Sequence, residues 1–190
     1  MNLTHLGDAL DHWKGSLIEL IGGKNLRVVP MFTDTWNAQQ IEAYARLLHV
    51  RPEDVLKRDT CFSSKSRKGY CCDLGEYDLF LDPDTGIAAD NKASEKHVSS
   101  TEIAGLLSVA PSRLLLIYQH ASRKKDGIRE KINLLRSAEG LKGCDIFAYD
   151  SGAVSMVVMS RDHERAHEAL TRLKNLLGEF ASARIVEPVS

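Results

Sequence analysis

Apolar positions along the chain keep two periods, and the changes between them mark the elements. Leu6, Leu10, Trp13, Leu17 and Leu20 recur at helical spacing until Gly22-Gly23, which predicts an opening amphipathic helix. The apolar run at 26–32 reads as a short buried strand. Thr33-Asp34-Thr35 closes it and supplies cap residues for a helix over 37–49, whose buried stripe is Ile41, Tyr44, Ala45 and Leu48. Proline at position 52 suits the first turn of a short helix over 52–57. Residues 59–76 follow neither period. A stretch of that length in a compact domain is expected to be a mobile lid, a binding loop or disordered.

The second half is more regular. Residues 77–82 read as a strand that runs into Asp82-Pro83-Asp84-Thr85-Gly86. Ser99 and Glu102 form a capping box ahead of a helix that carries Ile103, Leu106 and Leu107 and is broken by Pro111. Leu114-Leu115-Leu116-Ile117-Tyr118 is a continuous apolar run, as in a strand covered on both faces. A helix over 125–137 places Ile128, Ile132 and Leu135 on one side. Strands at 144–149 and 153–159 are joined by the tight-turn sequence Asp150-Ser151-Gly152. A last helix over 162–177 turns Ala166, Leu170, Leu173 and Leu177 inward and stops at Gly178, and 184–186 adds an edge strand.

Strand, helix, strand, helix, strand is the order of parallel β-α-β crossovers, which place helices on both faces of a sheet. The expected fold is one α/β domain over 1–190. It is a Rossmann-like three-layer sandwich with a mostly parallel sheet and a C-terminal antiparallel hairpin. A chain of 190 residues is long enough to bury such a core.

Composition narrows the function classes. The net charge of −1 gives no global pull toward nucleic acid or acidic membranes, so such binding would need a local patch. No apolar run reaches the roughly 18 residues of a membrane span. Asp8, Asp11 and His12 fall where a signal peptide would need its apolar core. Cys61, Cys71, Cys72 and Cys144 lack metal-ligand spacing, which fits reduced thiols and a cytoplasmic location. The chain has no Gly-x-Ser-x-Gly elbow, no P-loop and no His/Cys zinc pattern.

Ligands of open α/β sheets bind outside the carboxyl ends of the strands, where loops diverge and helix N-termini point inward. The unusual polar residues of this chain gather at those ends. The first strand delivers Thr33 and Asp34; the second delivers Asp82, Asp84, Thr85 and Gly86; the third delivers Tyr118, Gln119, His120 and Arg123. Lys96 and His97 precede the next helix. Asp82 is the foremost candidate, because a plain turn needs no acid at a buried strand end. Each also has a structural role open to it: Asp34 as a cap, Asp82 to Gly86 as a turn, Gln119 and His120 as a bonded strand terminus.

The order from 77 to 159, with Asp82-Pro83 closing its first strand, resembles the C-terminal half of Rossmann-fold methyltransferases. In amino-methylating members an Asp/Asn-Pro motif at that strand end holds the target amine, which implies such a role for Asp82. The family's glycine-rich turn for S-adenosylmethionine has no counterpart in Thr33-Asp34-Thr35-Trp36, so no cofactor is assigned. Asp82-Pro83-Asp84-Thr85-Gly86, with Glu95-Lys96-His97 and Tyr118-Gln119-His120, also resembles a family of uncharacterised bacterial and phage proteins.

Three functions follow. The first is a methyltransferase-like enzyme acting on a nucleotide or nucleic acid at the strand ends. The second is a Mg²⁺-dependent phosphoester hydrolase or nuclease. There Asp82 and Asp84 share the ion with Asp34, His120 is the general base, and Lys96 or Arg123 meets phosphate. The third is a non-catalytic binding or regulatory module with a protein or nucleic-acid partner. Its only local basic cluster is Lys57, Arg58, Lys65, Arg67 and Lys68 beside Tyr70.

Overall fold

The fold was read from a computed structural model that describes residues 3–22, 25–31, 35–56, 74–120 and 126–188. The expectations for Thr33, Asp34 and Arg123, most of the 59–76 segment and the basic cluster lie outside the described residues. In chain order the elements are α1 (Ala9–Ile21), β1 (Leu26–Val29), α2 (Ala38–Leu47), β2 (Asp78–Leu81), β3 (Gly86–Ala88) and β4 (His97–Ser99). They continue as α3 (Ser100–Val109), β5 (Leu115–His120), α4 (Gly127–Ser137), β6 (Asp145–Asp150) and β7 (Val154–Ser160). The chain closes with α5 (His163–Leu177), α6 (Ala181–Arg184) and β8 (Ile185–Val186).

Local chemistry sets the helix starts. Asp8 caps α1 by accepting from the backbone N–H groups of Leu10 and Asp11. Asn37, not the Thr33-Asp34-Thr35 segment, caps α2, in a capping box with Gln40. Ser99 and Glu102 form the expected box on α3.

Six strands form one sheet in the order β1-β2-β5-β7-β6-β8. β1, β2 and β5 pair in parallel, whereas β7 is antiparallel to both β5 and β6, and β8 is antiparallel to β6. The sheet is therefore mixed and not mostly parallel. The reason is that the hairpin strand β7 folds back into the gap between β5 and β6 instead of extending the edge. A second small sheet pairs β3 with β4 in parallel, so Gly86 and His97 are strand residues opposite each other.

Alternation along the strands feeds two cores. Val28, Phe80, Leu116 and Val158 pack with α1, α2 and α5; Val29, Leu81, Ile117 and Val157 pack with α3 and α4. Helices thus cover both faces. Val55 makes a parallel bridge to Val28 on the side of β1 away from β2. No helix among the described residues is long and apolar enough to cross a membrane.

Candidate functional site

Asp82 follows the last residue of β2 and is only 1% exposed. An acid so deep must be paired or hydrogen-bonded. Its Oδ2 accepts from the Lys14 ammonium at 3.0 Å and from the Tyr44 hydroxyl at 2.5 Å. Lys14 reaches a second carboxylate, Asp11 Oδ1, at 3.1 Å and lies 4.3 Å from the centre of the Tyr118 ring. Asp11 also accepts from the Gly7 N–H at 2.9 Å. Asp11, Lys14 and Tyr44 are as buried as Asp82.

Two helices bring these groups to the strand end. α1 ends at the foot of β1, which puts its first turns at the carboxyl edge. Gly15 lets α2 come close, since a Cβ there would stand 2.3 Å from the Leu47 carbonyl oxygen. Trp13 stacks on Tyr149 and meets Tyr118 edge-on, closing the apolar side.

The electrostatics follow from burial. Desolvation pulls the Lys14 ammonium down, but Asp82 and Asp11 outweigh it and hold its pKa above the ordinary value. Burial pushes the Asp11 carboxyl up, against Lys14 and the Gly7 N–H. Burial and then Asp82 hold the Tyr44 phenol well above its usual range. Burial likewise raises Tyr118, and Asp82, Asp8 and Asp11 add to it. His120 is pushed down by burial and Lys14, against Asp82 and Asp84.

Beside this cluster lies a cleft of about 110 Å³, walled by Lys14, Asp82, Pro83, Asp84, Tyr118 and His120, with His5 and Asp8 across from them. Tyr118 is 2% exposed, and its buried hydroxyl has no hydrogen-bond partner among the described residues. Its ring meets that of His120 edge-on at 5.0 Å. The cleft is smaller than the roughly 300–1,000 Å³ of a pocket that swallows a whole ligand, so it suits one end of a molecule.

Of the residues expected from the sequence, the fold brings Asp82, Asp84, Tyr118 and His120 together here. Asp84 pairs with Lys96 at 3.7 Å. Gln119 and Gly86 stand apart from the cleft's walls. The Gln119 amide accepts from the Ile87 N–H at 2.7 Å and donates to the carbonyls of Thr85 and His120. Gly86, at φ +118°, leaves room for that amide: a Cβ there would lie 2.4 Å from Gln119 Oε1. Both therefore hold the Asp82-to-Ile87 segment in place. Exposed Thr85 donates its N–H to the Lys96 carbonyl, and the His97 ring bonds to Ser94 Oγ at 2.9 Å. Asp11, Lys14 and Tyr44 were missed by sequence reasoning. The available signal was Gly15 inside a helix, a mark of close packing, with two charges on the same face.

Neither implied cofactor fits the described residues. No group of three metal-capable side chains exists among them, and the cation place at Asp82 is taken by Lys14. The turn after β1, where S-adenosylmethionine would approach backbone, lacks glycine. No protein-family model matches this chain, and neither does any curated protein or solved structure.

Proposed function

We propose that this chain is a Rossmann-like, three-layer domain of methyltransferase-like design that binds an amine-bearing substrate at the carboxyl edge of its parallel strands. The observation that carries the reading is the buried Tyr118 hydroxyl, which has no partner among the described residues, on a residue that lines the cleft together with Asp82. Buried polar atoms in folded proteins are almost always paired, so an orphan at a cleft is a place for a ligand atom. The resemblance at Asp82-Pro83 supports an amine, and it names nucleotides or nucleic acid as the class to try first. Parallel β1, β2 and β5 and the reversed β7 between β5 and β6 support the methyltransferase-like design.

Thermal unfolding of wild type and Tyr118→Phe tests the reading, with adenosine, cytidine, S-adenosylmethionine and simple alkylamines as probes. A bound probe at about ten times its Kd should stabilise by about 1.4 kcal/mol, roughly 4 °C for a chain of this length. Tyr118→Phe removes one oxygen and should fold normally but lose most of that shift. The absence of a shift with every amine-bearing probe in wild type would overturn the reading.

One observation favours a non-catalytic binding or regulatory module on the same site. The Lys14 ammonium already fills the acceptor that a reacting amine would need. Binding without transfer of a labelled methyl group from S-adenosylmethionine would select the module; transfer would select the enzyme.

A further inference from the structure

Among the described residues, the buried cluster beside the cleft holds one cation for two acids. Asp11 and Asp82 are each 1% exposed and share a single ammonium, that of Lys14, which is 4% exposed. Tyr44 and Tyr118 are neutral phenols and supply no charge. At the mouth stand Asp8, Asp84 with its partner Lys96, and the imidazoles of His5 and His120. The cations among these sit at the surface and leave the buried excess uncancelled. An uncompensated charge out of water costs several kcal/mol, and anything that neutralises it in place is favoured.

We infer that the cleft takes the protonated head of an ammonium ligand, in preference to the neutral amino group of a nucleobase. The ammonium enters the cleft beside Asp82 and Asp84, with Asp11 behind Lys14, and donates to the Tyr118 hydroxyl, which is buried, without a partner among the described residues and able to accept. The volume of about 110 Å³ admits such a head and little more. A phosphate end is turned away by Asp8, Asp82 and Asp84. Burial raises the pKa of Asp11, and the neighbouring Asp82 adds to it. This inference rests on the reading that the cleft is a ligand site.

The test is titration of the full chain with n-propylammonium, and separately with propanol and propionate, at constant ionic strength and neutral pH. Propylammonium should raise Tm, and the other two should not. Asp11→Asn makes the buried cluster neutral. It should fold with a Tm at or above that of wild type and bind propylammonium roughly tenfold more weakly. In wild type, affinity should fall with acidification, because a proton on Asp11 competes for the same charge vacancy; this second reading does not depend on a variant. Equal shifts with propanol and propylammonium, or undiminished affinity in Asp11→Asn, overturn the inference. If adenosine or cytidine binds and Tyr118→Phe abolishes it while the ammonium shows no advantage, the site stands and the ammonium does not. Silence from every probe removes both.

Discussion

β2 carries a buried aspartate at each end, Asp78 at the start and Asp82 just past the finish, and the two live in opposite circumstances. Asp78 is 3% exposed, and both of its oxygens accept from the Arg165 guanidinium, at 2.8 and 2.6 Å. Its Oδ1 also accepts from the Leu114 N–H at 2.8 Å, and Arg165 donates further to the Ser112 carbonyl. That end is a bidentate acid–base pair with its acceptors filled, and the fully buried Arg113 beside it satisfies its guanidinium on the carbonyls of Tyr77, Leu106 and Gly75. At the other end two acids share one lysine beside a hydroxyl with no partner among the described residues. Burial of an acid is common to both ends; hydrogen-bond completeness separates them.

The largest expected effect comes from removing Lys14, the one buried cation among the described residues at the Asp82 end. Lys14→Met should cost about 4 kcal/mol at neutral pH, roughly 12 °C in Tm, because two carboxylates are left facing each other out of water. The deficit should shrink in acid. In wild type the raised Lys14 pKa contributes stability that is present below the unfolded value of about 10.5 and is lost as pH rises through the folded value. In the variant, protonation of Asp11, whose pKa burial already raises, relieves the repulsion, so wild type and variant converge as pH falls. Tm measured from neutral to acid pH checks this. A deficit constant with pH would mean that the loss is one of packing, and the contrast between the two ends would collapse.

Asp78→Ala should come next, at about 3 kcal/mol or roughly 9 °C in Tm, tempered by the partial exposure of Arg165. It strands a guanidinium and an N–H but leaves the cleft untouched. Whichever amine probe binds wild type should bind this variant with the same Kd below its Tm. A changed Kd would show that the two ends of β2 are coupled and that the balanced pair also serves the site.

Most of this contrast was hidden in the sequence, for a physical reason. The local pattern marked the strands of the six-stranded sheet, the Ser99–Glu102 box and the β6–β7 hairpin, because each depends on neighbours close in the chain, but not the short β3 and β4. It also found Asp82, since an acid closing an apolar run has few local explanations. It found α1 and its buried Leu17 but not the whole inner face. Leu6, Leu10, Trp13 and Leu20 are partly buried against the core, while Asp11, Lys14, Gly15 and Ile18 are buried with Leu17. A helix ordinarily turns charge outward, and only a partner at long range makes the reverse favourable. Lys14 finds that partner 68 residues away and Arg165 finds Asp78 87 residues away, separations invisible to a pattern of neighbours. Tyr44 is core, as its spacing predicts, but nothing local announces the bond of its hydroxyl to Asp82. The insertion of β7 between β5 and β6 was likewise undetermined, since a hairpin fixes its own pairing but not which side of it meets the sheet.

The smallest effect is the most discriminating. Tyr44 is fully buried, and its hydroxyl gives Asp82 one charge-assisted hydrogen bond. Tyr44→Phe keeps the ring and its edge-on contact with Trp36, so the cost is that bond alone, about 2 kcal/mol or roughly 6 °C in Tm. The charge count of the cluster is unchanged, but Asp82 is less well satisfied and its negative charge is more available. If the Asp82 end is a receptor for positive charge, affinity for n-propylammonium should rise as stability falls, and isothermal titration of the two proteins can read both. If the end is a mere structural pair like that of Asp78, stability should fall and affinity should stay where it was. The opposite movement of the two quantities in one variant is something a structural role does not produce, because a loosened scaffold weakens binding or leaves it alone.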